Sequence, residues 1–286
     1  MIAQPNSGAP SSGAMALIAT LLEQRTGQQI AANRAWRLET ALKPLLREFA
    51  FESIDALVAR LVDGSVPQLA DRMVDALLNQ ESSFFRDAAV LDLIADAAKR
   101  LRAERGRRVR VWSAGCSNGQ EPLSLAMLFE ERGLGRETEI IATDVSQGAI
   151  ARGRAARFSQ FEIQRGLSMH RMVKWFAPDG PDWVADRALA RRIQYRQHNL
   201  VNEAPPPGGF DLVLCRNVLL YFDTAMRRQV FDRLAGAVRP GGLLVLGAGE
   251  TVIGQTHIFS PSSEWRGFYT IASCPSRVGF PRTAAR

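Results

Sequence analysis

The sequence VRVWSAGCSNGQEPL, residues 109–123, decides the fold of this chain. Its β-branched start, Val109 to Trp112, predicts a short strand, and the small residues that follow, including Gly115 and Gly119, predict a tight turn. Glu121 and a proline then begin a helix, where a carboxylate suits the helix dipole and proline has no donor to lose. Strand, glycine turn and helix make the first βα unit of a nucleotide-type fold, in which glycines let the backbone approach a ligand.

A second strand, Glu139 to Asp144, ends in a carboxylate. Asp144 lies close to the distance at which a doubly wound fold places its ribose-binding acid after the glycine turn. The loop has no Gly-x-Gly-x-x-Gly pattern and no lysine followed by Ser or Thr, so a pyrophosphate ligand is disfavoured. A nucleoside ligand without a phosphate chain remains, and S-adenosylmethionine is the leading candidate. The alternative is an ordinary βα turn whose glycines serve tight packing.

Length and composition bound the class of protein. With 286 residues, 46% of them hydrophobic, the chain can form one large domain or two moderate ones. It has no apolar run of about eighteen residues, so no membrane insertion is expected, and its start does not resemble a signal peptide. Three scattered cysteines, Cys116, Cys215 and Cys274, favour a reducing cytoplasm over a disulfide framework. Three histidines without ligand spacing predict no metal site.

The charge of the chain bears on its partners. A net charge of +7 favours acidic partners. The basic cluster at residues 99–108 lacks an aromatic stacking platform, so nucleic-acid binding is not indicated.

The first hundred residues have a helical period that predicts a small bundle, a domain of its own. Basic residues of its second helix, such as Lys43 and Arg47, are expected to face solvent, with docking of an acidic partner as the alternative.

The segment NQESSFFRD, residues 79–87, joins this bundle to the next helix. Its polar start, paired phenylalanines and arginine are unusual between two helices. One interpretation is a linker that its phenylalanines anchor on the core. The other is a lid that brings Arg86 over the ligand, where a guanidinium can hold a carboxylate with two hydrogen bonds.

Later segments complete the α/β pattern. The alternation of helices and strands breaks between Arg157 and Arg192, which predicts an inserted subdomain. Polar groups follow the buried strand that ends at Cys215, and ligands bind at the carboxyl ends of strands in such sheets. Asn217 and Tyr221 therefore belong to the candidate pocket, with capping and packing as their alternative roles. We expect a turn at residues 239–242, a strand at 243–246, and a last strand at 265–271 that pairs antiparallel with a segment near 257–259.

Together these segments resemble the CheR family, the S-adenosylmethionine-dependent chemotaxis receptor methyltransferases, over roughly residues 15–272. The order and spacing of the motifs are more specific than any one of them. The segments that resemble the family are Glu81 to Asp87, Val111 to Pro122, Ala142 to Val145, and Phe210 to Asp223 with Arg239 to Glu250.

The resemblance implies a fold and a reaction. The fold is α/β: a Rossmann-like class I methyltransferase domain with a mostly parallel seven-stranded sheet and a small inserted subdomain, preceded by a small all-α domain. The reaction is methyl transfer from S-adenosylmethionine to glutamate side chains of methyl-accepting receptor proteins, which gives methyl esters and S-adenosylhomocysteine. The partners would be the acidic cytoplasmic helices of those receptors, and a monomer is the default state.

The resemblance also assigns site residues. Arg86 would orient carboxylate groups of substrate or cofactor, and Tyr221 would lie beside the transferred methyl; these two are the predicted catalytic residues. Gly115 is added from the glycine loop itself. The predicted cofactor-binding residues are Gln80, Ser82, Arg86, Gly115, Glu121, Asp144, Asn199, Leu200, Asn217 and Val218.

This chain departs from the family pattern at three places. The family usually has Asn where Gln80 stands, so a weaker or re-angled cofactor contact is expected there. Gln120 replaces an acid, which matters less because Glu121 is retained. Residues 175–190 are short compared with members that tether a receptor tail through the insertion, a departure that argues against tethering by this chain.

The predicted domains and the remaining alternatives follow from these segments. A methyltransferase that acts on another acceptor, such as a small carboxylic acid or RNA, remains open. So does a non-catalytic module that binds S-adenosylmethionine or a chemosensory partner, which the departure at Gln80 favours.

The predicted division is a flexible tail at 1–14, a helical domain at 15–78, a linker and lid helix at 79–104, a methyltransferase domain at 105–274 with its insertion at 157–192, and a flexible tail at 275–286.

Overall fold

The computed structural model describes residues 10–29 and 35–272. The first helix begins at Ser12, where the Ser11 side chain accepts a hydrogen bond from the N–H of Ala14. Residues 12–14, which were predicted to belong to a flexible tail, are therefore helical. Residues 1–9 of the tail predicted at 1–14, the tail predicted at 275–286, and Cys274 lie outside the described residues.

Four helices form the amino-terminal bundle. Their shared core consists of side chains that are fully buried, among them Ile18, Leu42, Leu57 and Met73. Apolar residues at helical spacing make this core, as the sequence predicts. The helices are α1 (Ser12–Thr26), α2 (Ala35–Glu48), α3 (Ile54–Asp63) and α4 (Leu69–Leu77).

A seven-stranded sheet forms the second part of the molecule, in the order β6-β2-β1-β7-β8-β10-β9. The first five of these are parallel to one another, and β10 runs antiparallel to both β8 and β9. The predicted mostly parallel seven-stranded α/β fold is confirmed. The main strands are β1 (Val109–Ala114), β2 (Thr138–Asp144), β6 (Ile193–Gln197), β7 (Phe210–Cys215), β8 (Val238–Leu246), β9 (Phe259–Pro261) and β10 (Phe268–Ile271).

Helices cover both faces of this sheet. Alternate residues of β1 point to opposite faces, so Val111 joins the core under one set of helices and Trp112 joins the other. The strand order reverses between β1 and β7, and in such sheets the crevice at this switch point takes the ligand. The covering helices are α5 (Ala88–Arg105), α6 (Gln120–Glu131) and α7 (Gln147–Ala155) on one face and α11 (Thr224–Ala237) on the other.

The insertion is a small α/β unit with its own three-stranded antiparallel sheet, in the order β3-β5-β4. Phe158 and Phe176 of this unit pack edge-on against Phe84. Its elements are β3 (Arg157–Ser159), α8 (Gln160–Gln164), α9 (Met169–Trp175), β4 (Phe176–Asp179), β5 (Asp182–Ala185) and α10 (Arg187–Ala190).

Strand β8 begins at Val238, earlier than the predicted start at residue 243. Its pairing with β7 shifts between Val238 and Leu243, so the expected turn is a bulge inside one strand. Gly241 has a positive φ of 66°, a backbone conformation that glycine adopts without strain inside the bulge.

No helix among the described residues is long and apolar enough to cross a membrane.

Candidate functional site

A cavity lies at the carboxyl edge of the sheet, at the switch point between β1 and β7. The space within it, counted together with its open mouth, is about 930 Å³. Every residue that the sequence predicts for the site lines this one cavity: Gln80, Ser82, Arg86, Gly115, Glu121, Asp144, Asn199, Leu200, Asn217, Val218 and Tyr221.

Asp144 ends β2 inside this cavity with only 9% of its surface exposed. One carboxylate oxygen accepts the N–H of Ser117 at 2.8 Å and the other accepts the N–H of Ser146 at 3.0 Å. Burial raises the pKa of Asp144, the charge of Asp75 adds to the rise, and the two N–H donors only partly oppose it. Within the described ranges no cation pairs with this carboxylate, so it keeps free acceptor positions for a ligand's hydroxyl groups.

The glycine loop is fixed to β2 and pressed against the loop after β7. The N–H groups of Gly115 and Cys116 both donate to the carbonyl of Thr143, at 2.8 and 2.9 Å. Gly115 has a φ of 77°, and an added Cβ would overlap the side chain of Val218. Tight packing therefore explains this glycine, as the alternative interpretation held, and the same packing brings Val218 to the cavity wall.

The segment at residues 79–87 is both anchored and open to the cavity. Phe84 is fully buried, and the N–H of Phe85 donates to the Ser124 hydroxyl at 3.0 Å. The Ser117 hydroxyl donates to the side-chain oxygen of Gln80 at 2.9 Å. Arg86 lines the cavity, and no residue of the described chain forms an ion pair or hydrogen bond with its guanidinium. The two interpretations of this segment are thus compatible, because its phenylalanines anchor it while its arginine faces the ligand space.

Glu121 is held by the protein itself. Its two carboxylate oxygens accept the Ser113 hydroxyl at 2.7 Å and Nη1 of Arg216 at 2.8 Å. Arg216 was missed by the sequence analysis, although its side chain is only 2% exposed and it lines the cavity. Its position directly after the buried strand β7 was the signal that could have found it.

Glu250 is a second residue that the sequence analysis did not assign. Its carboxylate accepts the backbone N–H groups of Asn217 at 2.7 Å, Leu219 at 2.8 Å and Gly247 at 2.8 Å. Asn217 has a φ of 59°, which costs free energy in a non-glycine residue. Glu250 therefore stabilises the strained loop that presents Asn217 and Tyr221 to the cavity.

The helical bundle supplies one wall of the cavity. The side chain of Asn199 donates to the carbonyl of Arg25 at 2.7 Å, and the carbonyl of Tyr221 accepts the N–H of Gln29 at 3.0 Å. The Tyr221 hydroxyl accepts a hydrogen bond from the side chain of Asn79. Thr26 and Gln28, beside these contacts, also line the cavity. This wall depends on contacts between segments far apart in sequence, and no local pattern indicates it.

The donors and acceptors in the cavity fit S-adenosylmethionine. Asp144 offers a desolvated carboxylate for ribose hydroxyls, and Arg86 offers an unpaired guanidinium for the carboxylate of the amino-acid end. The glycine loop turns at Gly115 without a phosphate-binding pattern, which suits a nucleoside that has no phosphates.

Comparisons with known proteins agree with this chemistry. A model of the family described as CheR methyltransferase, SAM binding domain, matches residues 80–267. Chemotaxis protein methyltransferase 1 of Pseudomonas aeruginosa is 33% identical over 245 residues, covering 82% of this chain and 89% of that protein. Chemotaxis protein methyltransferase 1 of Vibrio cholerae is 34% identical over 245 residues, covering 83% and 89%.

One solved structure shows a weaker likeness. A TehB-like SAM-dependent methyltransferase from Corynebacterium glutamicum covers 60% of this chain and 83% of its own, with 14% identity and a TM-score of 0.36. So slight a likeness supports no inference about the site.

Proposed function

This chain belongs to the CheR methyltransferase family, and we propose that it methylates glutamate side chains of methyl-accepting chemotaxis receptors. The products would be glutamate methyl esters and S-adenosylhomocysteine. The observation that most supports this function is the single cavity that unites Asp144, with its free acceptor positions, and Arg86, with its unpaired guanidinium. The relatives named chemotaxis protein methyltransferase support the choice of receptors as substrates.

The chemistry of the acceptor suits this cavity. A glutamate carboxylate has a free pKa of about 4.3, so it is ionised at neutral pH and needs no general base. When bound, S-adenosylmethionine supplies an electrophilic methyl on its sulfonium. The protein's contribution is to align the two groups and exclude water, since water would shield both charges. In this proposal Arg86 orients a carboxylate and Tyr221 packs beside the reacting methyl.

The remaining cofactor contacts are proposed from the same cavity. Asp144 would hold the ribose. Gln80 is fastened through its side-chain oxygen to Ser117, which leaves its amide N–H₂ as the group it can offer a ligand. The other proposed cofactor contacts are Ser82, Gly115, Glu121, Asn199, Leu200, Asn217 and Val218.

The partner is proposed to be an acidic receptor helix that approaches the amino-terminal bundle. Lys43 and Arg47 lie four residues apart on α2 and both are exposed, which favours contact with acidic side chains. We further propose a cytoplasmic monomer with a helical domain at 15–78, a linker and lid helix at 79–104, and a methyltransferase domain at 105–274 that includes the insertion at 157–192.

The test is methyl transfer to receptor fragments. The purified protein would be incubated with methyl-labelled S-adenosylmethionine and cytoplasmic fragments of chemoreceptors encoded in the same genome. The proposal predicts label that mild base releases as methanol, and mass spectrometry that places a methyl ester on glutamate. Arg86→Ala serves as the matched variant, with much less label expected. Base-stable label, or no label on any of these receptors, would contradict the proposal.

A further inference from the structure

Arg216 links two parts of the cavity wall that are far apart in sequence. It follows β7 directly, and its side chain is 2% exposed. Nη1 donates to Glu121 of α6 at 2.8 Å, while Nη2 donates to the carboxylate of Asp87 at 2.7 Å and to the carbonyl of Arg86 at 2.9 Å. One guanidinium thus joins the start of α6 to the segment that carries Arg86.

That segment has a backbone that needs support. Phe85 and Asp87, on either side of Arg86, have φ values of 49° and 56°. Residues other than glycine rarely adopt this region of backbone conformation. Such conformations persist only where surrounding contacts hold them. The N–H of Phe85 is held by Ser124 at 3.0 Å, and Arg216 holds the next two residues.

The charges support the same link. Glu121 and Asp87 are two carboxylates that share one buried guanidinium. If that guanidinium is removed, Glu121, whose side chain is 15% exposed, keeps a poorly solvated charge beside the cavity. The bond between Arg216 and the Arg86 carbonyl would also be lost, so the Arg86 side chain would no longer start from a fixed backbone.

We propose that Arg216 is a positioning residue, which holds the backbone of residues 86–87 so that Arg86 reaches the amino-acid end of S-adenosylmethionine. This role rests on the proposed function. Loss of Arg216 should therefore affect binding of the amino-acid end of the cofactor. The ribose is assigned to Asp144, which Arg216 does not contact.

Two ligands separate this role from general support of the fold. S-adenosylhomocysteine has the amino-acid end, whereas 5′-methylthioadenosine has the same nucleoside and sulfur without it. Calorimetric titration of the full chain would measure both affinities. For Arg216→Gln we expect affinity for S-adenosylhomocysteine to fall about tenfold or more, because a charged hydrogen bond is lost. Affinity for methylthioadenosine should stay within about twofold.

A double variant tests whether Arg216 acts through Arg86. Arg86→Ala alone should also weaken S-adenosylhomocysteine, and adding Arg216→Gln should weaken it little further, because the two residues form one unit. Arg110→Gln is the matched control, since Arg110 is a half-buried arginine paired with Glu139 at 3.0 Å at the opposite edge of the sheet. It should leave both affinities unchanged.

Several outcomes would overturn the role. These are an equal loss of both ligands in Arg216→Gln, no loss of either, or losses that multiply in the double variant. Wild-type protein that binds neither ligand would overturn the proposed function as well, which separates the two failures. If Arg216→Gln does not fold, Asp87→Asn breaks the link from the segment side. Its expected result is a loss of roughly threefold for S-adenosylhomocysteine alone, and equal affinities to wild type would contradict the role.

Discussion

Two buried aspartates stand at opposite edges of the same sheet, and the protein treats them in opposite ways. Asp211, near the amino edge in β7, has a fully buried side chain surrounded by Arg105, Arg107 and Arg239. Asp144, at the carboxyl edge, has only backbone N–H donors. The first carboxylate is paired with an excess of positive charge, and the second is left without a cation.

Their pKa values record this difference. Burial favours the neutral acid at Asp211, but hydrogen bonds from Arg107 and from the N–H of Arg110, with the charges of Arg107 and Arg105, outweigh it and lower the pKa. At Asp144 burial prevails and the pKa is raised. A buried charge that the protein satisfies completely belongs to the scaffold, whereas one that it leaves short of partners is available to a ligand.

The largest expected effect is on stability at the amino edge. Asp211→Asn removes the charge on which three guanidiniums converge, so the free energy of unfolding should fall by about 3–5 kcal/mol. Denaturation in urea measures this. Glu139→Gln, which removes a partly exposed partner of Arg110, is the matched control and should cost less than about 1 kcal/mol. A cost for Asp211→Asn no greater than that of the control would contradict its structural role.

The next largest effect is on turnover at the carboxyl edge. Arg86→Ala should lower kcat/KM for methyl transfer by about tenfold to a hundredfold, because its guanidinium would make charged hydrogen bonds to a carboxylate. The unfolding free energy should change by less than about 0.5 kcal/mol, since the side chain has no partner within the described residues. Unchanged turnover would remove Arg86 from the site.

A smaller effect is expected on stability at Asp144. Its charge is penalised by burial, but an Asn side chain keeps only one of the two oxygens that accept N–H groups, so Asp144→Asn should lower the unfolding free energy by no more than about 2 kcal/mol, less than Asp211→Asn. Thermal unfolding of the two proteins without ligand checks this. A large loss of stability would mean that Asp144 belongs to the scaffold, and the contrast with Asp211 would fail.

The pH dependence should have opposite signs at the two residues. Asp211 stabilises the fold above its unfolded-state pKa of about 3.9, and that contribution is lost as the pH falls through its lower folded pKa. Asp144 destabilises the fold when ionised, and that penalty disappears as the pH falls through its raised pKa toward about 3.9. Unfolding free energies of wild type and each Asn variant between about pH 7 and pH 3 would measure both trends. If the difference in unfolding free energy between each Asn variant and wild type changed with pH in the same direction, the predicted opposite signs would be wrong.

The sequence predicts much of this arrangement because its strongest signals are local. The strand that ends at Asp144, the glycine turn at Gly115 and the strand that ends at Cys215 each depend on neighbouring residues, and parallel strands bring their ends together. The lid interpretation named Arg86, the end of the strand at Cys215 named Tyr221, and the resemblance to a known family then gave both their catalytic roles. The cavity unites all of these residues.

What the sequence did not predict depends on distant contacts. Arg216 and Glu250 were missed because only the fold shows which distant groups they bind. Thr26, at the end of α1, and Gln28, just after it, reach the cavity from more than a hundred residues before the loop that carries Tyr221. The early start of β8 depends on a bulge that two glycines permit, which looks like a turn in sequence.

The most direct test is calorimetric titration of S-adenosylhomocysteine into wild type, Asp144→Asn and Asp211→Asn in one buffer, at a temperature where all three are folded. The account predicts micromolar binding by wild type, the same affinity in Asp211→Asn, and a loss of about a hundredfold in Asp144→Asn. Wild-type affinity in Asp144→Asn would show that the unpaired carboxylate does not hold the ligand, and the central claim would be wrong.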